Sequence, residues 1–344
     1  MPDLLDQLDD PVPFTVSPEL IGAVRARGKH LRRRRRVTLF AAAIPLVLVL
    51  ALVAGAAYVD RRTDGVTRLD VAAGVLAMPA AGQPYDILLV GTDGPDPSGL
   101  TTPRSDLQMV VHIDPLAGTV RVLSVPRDLV PADATSGGDR LNETFSRGGP
   151  EGLIRAIHDD LGIEIAHYVA VDFQGFARLV NLTGAVSVRS SMPLRDLLTG
   201  LDLDTSCQRL DGVQTLGLAR ARHVEYLDTD GRWHSDPTGD VGRVQRQHVL
   251  LSLLFGRLAD LPDDPGTLKS LIDVFADNTT IDAGFSRSAI LDLVRWGRAL
   301  DPGAITMSTL PTEPAVLADG SEVVRPASAG SAVIADPPAL ISRC

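Results

Sequence analysis

The sequence predicts an α/β fold: a mixed central sheet sandwiched between helices (α/β/α), preceded by one transmembrane helix. Three observations carry this. Short apolar runs bounded by glycine, proline or aspartate recur between residues 85 and 310. Between them lie longer stretches whose apolar residues return every three or four positions, the period of a helix with one buried face. Ahead of both, Val37–Val59 carries no charged side chain.

Residues 1–36 form a polar, partly basic tail. Residues 37–59, as a helix, reach about 34 Å, enough to cross a bilayer core. Arg32–Arg36, with Arg25, Arg27 and Lys29 upstream, place the basic flank on the N-terminal side, which stays cytoplasmic. Arg61 and Arg62 weaken that asymmetry without reversing it. A cleaved signal peptide would have a shorter apolar core nearer the first residue. The expectation is a single-pass anchor in the cell membrane, N-terminus cytoplasmic, with everything beyond about residue 60 extracytoplasmic. Formal charge is −10, and the part beyond the span is more acidic still, which argues against a nucleic-acid partner. Cys207 and Cys344 both fall outside the membrane on this topology, where an oxidising compartment makes a disulfide the default.

Residues 60–83 read as a small-residue linker and residues 84–310 as the folded domain. Tyr85–Val90 is a buried strand ending at Gly91. Leu107–Ile113 and Thr119–Val125 are strands joined by the turn Asp114–Gly118. Pro150–Leu161 is a helix with Leu153, Ile154, Ile157 and Leu161 on one face and Gly162 as its stop. His167–Val171 is a strand, Phe173–Leu182 a helix and Ala185–Val188 a strand. Asp211-Gly212 opens a helix through Arg222. Val224–Thr238 reads as a long loop. Arg243–Leu261, Gly266–Ala276 and Ser286–Leu300 are helices, and Ile305–Leu310 is the last strand. Residues 311–344, rich in proline and small residues, read as an irregular tail tied by the disulfide. His112, His158 and His167 sit inside these elements and are read as structural.

Arginines mark the chemistry. Arg220, Arg222, Arg243 and Arg246, with Gln247, cluster late in the chain at the start of an apolar helix. A guanidinium holds phosphoryl oxygens bidentately without losing its charge, so the set suggests a polyanionic ligand. Asp93 follows a strand end and Asp106 opens the next strand, with Arg104 between them. Two carboxylates so placed suit a hard cation such as Mg2+ (or Mn2+), which takes few protein carboxylates plus substrate phosphate oxygens. Arg127-Asp128 closes another strand, and Arg140-Leu141-Asn142 precedes a helix.

The order DILLVGTD (86–93), RSD (104–106), LSVPRD (123–128), RLN (140–142), GGPEG (148–152), HYVAVDFQGFARLVNLTGAVSV (167–188), LDGVQTLGLARARH (210–223) and DVGRVQRQ (240–247) resembles the LytR–CpsA–Psr family. The likeness covers roughly residues 85–310. It implies a membrane-anchored phosphotransferase. Such an enzyme moves a glycopolymer from a polyprenyl-pyrophosphate carrier onto a peptidoglycan acceptor as a phosphodiester. Carried over by motif, Asp93 and Asp106 hold the metal. Arg104, Arg127, Arg140, Arg220, Arg222, Arg243, Arg246 and Gln247 meet the diphosphate, with Arg127 acting on the reacting group. Asp240 either takes the acceptor proton or orients Arg243. The family's Lys-Ile-Asn is Arg140-Leu141-Asn142 here, which keeps the charge and changes its reach. A pyrophosphatase or a non-catalytic lipid-diphosphate binder would use the same residues.

Overall fold

Side chains that alternate between two apolar faces fix the layers of this protein. The computed structural model describes residues 66–80, 82–94, 104–131, 140–259, 261, 265–286, 288–289, 292–293, 296, 304–327 and 340–344. The expected cytoplasmic tail and span at 1–59, and much of the helix expected at 286–300, lie outside the described residues. Among the described residues no helix is long and apolar enough to cross a membrane.

In chain order the elements are β1 (Thr67–Leu69), β2 (Tyr85–Thr92), β3 (Ser105–Asp114), β4 (Thr119–Ser124), α1 (Leu141–Leu161), β5 (Ile165–Asp172) and α2 (Phe173–Leu182). Next come β6 (Val186–Ser190), β7 (Leu194–Asp196), β8 (Leu201–Leu203), β9 (Cys207–Leu210) and α3 (Gly212–Arg220). After these follow β10 (Glu225–Leu227), β11 (Trp233–Ser235), α4 (Gly239–Ala259) and α5 (Pro265–Asn278). The last are β12 (Thr279–Asp282), β13 (Ile305–Thr309), β14 (Thr312–Val316), β15 (Glu322–Pro326) and β16 (Ile341–Arg343).

Seven strands make one mixed sheet in the order β1-β12-β5-β2-β3-β4-β13. Three neighbouring pairs are parallel, β1 with β12, β5 with β2 and β13 with β4; the other neighbours are antiparallel. Successive residues of a strand face opposite sides. Leu88, Val90, Val110 and Tyr168 pack with Phe145, Leu153 and Ile157 of α1 on one side. Ile87, Met109, Val111 and Val169 pack with Val180 of α2, Leu254 of α4 and Phe275 of α5 on the other. This is the expected sandwich. A further apolar cluster, including Val188, Leu194, Leu210, Leu218, Leu250 and Ile341, joins two small sheets, β11-β10-β7-β8 and β16-β6-β9, to α3 and α4.

Several sequence expectations are corrected. The helix expected from Pro150 begins at Leu141. Gly149 (φ 61°, ψ −157°) breaks it and Pro150 restarts it, a position where proline's missing N–H costs nothing. Residues 224–238 are not a plain loop: β10 and β11 form a hairpin whose inner strand pairs with β7. The described parts of 311–344, residues 311–327 and 340–344, are not irregular. β14 and β15 form a hairpin docked by a bridge from Leu129 to Val324, and β16 adds an edge to β6. Pro314 and Pro326 blunt the strand signal there, because proline within a sheet is confined to positions that need no N–H. The helix opened by Asp211 ends at Arg220, so Arg222 lies beyond it.

Two local devices place α3. Asp211 and Gln214 form a capping box at its start. Gly212 meets the carbonyl oxygen of Ala177 so closely that a Cβ there would collide with it, which lets α3 press against α2. His167 is structural, as its position suggests: its Nδ1 lies 3.2 Å from the buried carboxylate of Asp282 and its ring stacks on Phe285.

Candidate active site

β2 and β3 pair in step from Tyr85 and Ile113 to Gly91 and Leu107; the next pair is Thr92 with Ser105. Asp106 is therefore the extra residue of a β-bulge, a device that re-aims a side chain at a sheet's end. The re-aimed carboxylate pairs with Arg127 and lies 3.9 Å from Nη1 of Arg243 and 4.0 Å from Nε of Arg220. Those guanidiniums come from the loop after β4, the start of α4 and the end of α3.

The pairing continues into a closed ring. Arg243 Nη2 is 2.8 Å from Asp240, which is 3.4 Å from Arg222 Nε. Arg222 Nη2 is 3.1 Å from Asp128, which is 3.7 Å from Nε of Arg127. Arg127 returns to Asp106. Three arginines and three aspartates thus alternate, with Arg220 attached outside at Asp106. Neither oxygen of Asp240 has an aligned hydrogen-bond donor, although both are covered by neighbours. Asp106 and Asp128 accept from Arg127 and Arg222, so Asp240 is the ring carboxylate without an aligned donor; an incoming polyanion can replace these carboxylates as partners of the guanidiniums.

The backbone delivering Arg222 is itself held. Asp196, 1% exposed, accepts the N–H groups of Arg222 and His223, each at 3.0 Å. Nothing in the sequence marked Asp196. Arg246 and Gln247, expected at the diphosphate, hydrogen-bond to the α3 segment, and Gln247 also lines a recess with Asp106 and Arg220. Arg246 donates to the carbonyl of Ala221 at 2.6 Å and pairs with Asp236, and Gln247 donates to the carbonyl of Ala219 at 3.0 Å. They clamp α4 to the segment carrying Arg220 and Arg222. Burial pushes the guanidinium of Arg243 below its usual pKa, and the nearby Asp240 opposes that shift. Burial does the same to Arg246, opposed by Asp236.

Asp93 lies just past β2, and its Oδ1 accepts the backbone N–H of Arg104 at 2.7 Å. Asp93 and Asp106 thus flank the same end of the β2–β3 ladder. Two hard oxygen donors beside an arginine group fit Mg2+ or Mn2+, cations that bind one or two carboxylates and complete their shell with phosphate oxygens and water. Arg140 donates to the carbonyl of Glu322 at 3.1 Å. The amide oxygen of Asn142, a residue 9% exposed, has no partner among the described residues.

Three recesses meet at the ring. The first, of about 140 Å³, is apolar, lined by Phe173, Phe176, Leu216 and Leu251 together with Asp106, Arg220 and Gln247. Arg220 lies over the ring of Phe173 at 4.7 Å, which joins the charged group to the apolar wall. The second, of about 630 Å³, is polar and includes Arg104, Arg127, Arg140, Arg147 and Asn142. The third, of about 810 Å³, is mixed and lies between the start of α4 and the β14–β15 hairpin.

With this geometry in view, comparison with known proteins decides the family. The LytR_cpsA_psr family model matches residues 57–330. The chain belongs to that family. A LytR-Csp2A-Psr enzyme from Actinomyces oris superposes with a TM-score of 0.62 at 30% identity, covering 76% of this chain and 92% of that one. The probable cell wall biosynthesis protein LcpB of Corynebacterium glutamicum is 33% identical over 53% of this chain and 39% of its own length. The polyisoprenyl-teichoic acid–peptidoglycan teichoic acid transferase TagU of Enterococcus faecalis is 26% identical over 59% of this chain and 63% of its own. This chain therefore spans about half the length of the curated relatives it matches.

Proposed function

We propose that this protein is a membrane-anchored phosphotransferase that moves a glycopolymer from a polyprenyl-pyrophosphate carrier to peptidoglycan as a phosphodiester. The observation that carries the reading is the apolar recess whose lining includes Asp106 and Arg220 of the charged group. A prenyl chain and its diphosphate need those two environments side by side. Membrane anchoring through Val37–Val59 would keep the domain beside a membrane-borne donor. The relatives named as wall-polymer transferases support the same reading.

In this reading Asp93 and Asp106 would hold Mg2+ or Mn2+, which when bound would supply charge neutralisation at the diphosphate. Arg127, Arg220, Arg222 and Arg243 leave their aspartates for phosphoryl oxygens. Arg104 and Arg140 face the polar recess, where the donor's first sugars lie. The acceptor hydroxyl oxygen bonds to the glycan-bearing phosphorus, and that phosphorus loses its bond to the bridging oxygen. Polyprenyl phosphate leaves with the electron pair, stabilised by the arginines. The hydroxyl proton goes to Asp240, which Arg222 has released.

The test supplies full-length protein with a prenyl-diphosphate-linked sugar and peptidoglycan fragments. A covalent sugar–phosphate–peptidoglycan product supports the reading. Free sugar phosphate alone indicates a pyrophosphatase, and binding without turnover indicates a lipid-diphosphate binder. In the same assay Asp240→Asn should bind donor like the parent and transfer about a hundredfold more slowly. Unchanged transfer would remove Asp240 from the proton path. Arg222→Lys keeps the charge and loses the fork, and should cost about 1–3 kcal/mol in donor binding or transition-state stabilisation. Parent-like kinetics for this variant would place the diphosphate elsewhere.

A further inference from the structure

We infer that the mixed cleft between the start of α4 and the β14–β15 hairpin is the subsite for the acceptor glycan, with the hairpin as its selective wall. The inference rests on the transferase reading above and assigns, of the three recesses at the ring, the recess that reading leaves without an occupant.

The assignment follows from what each recess shares with the ring. The apolar recess shares Asp106 with the ring and is also lined by Arg220, the partner outside the ring, which is where a departing prenyl phosphate would lie. The polar recess shares Arg127, Asp128 and Arg222 and adds Arg104, Arg140 and Arg147, a lining for an anionic donor. The mixed cleft shares Asp128, Arg222 and Asp240. Arg243, 1% exposed, spans the two sides: it lies 3.9 Å from Asp106 on the apolar side and 2.8 Å from Asp240 on the cleft side. Attacking and leaving oxygens of a phosphoryl transfer sit roughly in line on opposite sides of phosphorus. With the leaving group on the Asp106 side of Arg243, the attacking hydroxyl enters from the Asp240 side, which is the mixed cleft.

The chemistry of the walls suits a saccharide. Val241, Pro311, Pro314 and Val316 offer apolar surface to sugar C–H faces, while Asp128 and Glu322 offer partners for hydroxyl and amide groups. About 810 Å³ lies in the range of small-ligand sites and accommodates a few sugar rings. The hairpin is a fixed wall. Val130 donates to the carbonyl of Val324 at 3.0 Å, Val324 donates to that of Asp128 at 3.3 Å, and Val323 is buried against Val130 and Leu317. Val316, by contrast, is 70% exposed at the cleft, a large apolar side chain with little structural work.

The test measures binding and needs no turnover. Full-length protein in detergent is titrated with a soluble peptidoglycan tetrasaccharide fragment and, separately, with farnesyl diphosphate. Val316→Trp fills the cleft without disturbing a buried contact. It should raise the dissociation constant for the fragment about tenfold and change that for farnesyl diphosphate by less than about twofold. The inference is overturned if Val316→Trp binds the fragment like the parent. It is also overturned if that variant loses farnesyl diphosphate instead, or if the parent does not bind the fragment. A parent that binds the fragment, is weakened by Val316→Trp and yet transfers nothing would overturn the ligase reading and leave the cleft assignment standing.

Discussion

Asp106→Ala should lower transfer by about two to three orders of magnitude, the loss typical of removing one electrostatic element of a transition-state site. Its affinity for a lipid diphosphate should stay at or above the parent's. The two halves have one cause. Asp106 is the negative charge on which Arg127, Arg220 and Arg243 converge. Without it the guanidiniums remain, and a polyanion meets a more positive group. What disappears is the carboxylate that spaces them and, with Asp93, the proposed seat of the cation. Chelator should bring the parent down to the variant's rate and leave the variant unchanged. Because the bulge lies at a strand end, the variant should keep the parent's circular dichroism spectrum. Full transfer by a metal-free parent would remove the cation from the reaction. Weak diphosphate binding by Asp106→Ala would show that the carboxylate organises binding rather than turnover.

The ring explains which parts of the site were readable from sequence. Asp106, Arg127, Arg222, Asp240 and Arg243 are all legible, because charged residues at strand ends and helix starts stand out against apolar runs. Their mutual pairing was not readable, since it joins a bulge, a loop and two helix ends far apart in the chain. Nothing local marks the bulge; it appears only as a slip of register between Gly91 and Thr92. Arg243, Arg246 and Gln247 share a helix face by spacing. Only the packing of α3 decides that Arg243 reaches the ring while Arg246 and Gln247 bond to carbonyls at and just beyond its C-terminal end. The central strands were legible because both faces are apolar and the runs are continuous. β14, β15 and the β10–β11 hairpin were not, because half-exposed short strands carry little apolar signal and are specified by backbone pairing instead.

Cys344→Ser should destabilise the domain by several kcal/mol. The sulfurs of Cys207 and Cys344 lie 2.09 Å apart, with Cα atoms 5.6 Å apart and a separation of 137 positions in sequence. The chain-entropy account of a loop that long gives about 5 kcal/mol, and measured losses for native disulfides run about 2–5 kcal/mol. For a domain of this size each kcal/mol lowers the melting temperature by about 2–4 °C. The bond ties the two outer strands of the sheet β16-β6-β9. Without it, β16 keeps three residue pairs with β6, the buried side chain of Ile341 and the bonds that the Leu340 carbonyl accepts from Ser190 and Ser191. Those contacts order the last five residues only if their own entropy loss is met, at about 1–2 kcal/mol per residue. β9 leads directly into the capping box of α3, so a frayed edge should also loosen the segment carrying Arg220 and Arg222 and slow transfer. Cys207→Ser, the double variant and the reduced parent should all melt together with Cys344→Ser, because each removes the same bond. Two alkylatable thiols in folded, unreduced protein from an oxidising compartment would refute the bond. A Cys344→Ser variant that melts at the parent temperature would show that the strand pairs and Ile341 hold the terminus without it.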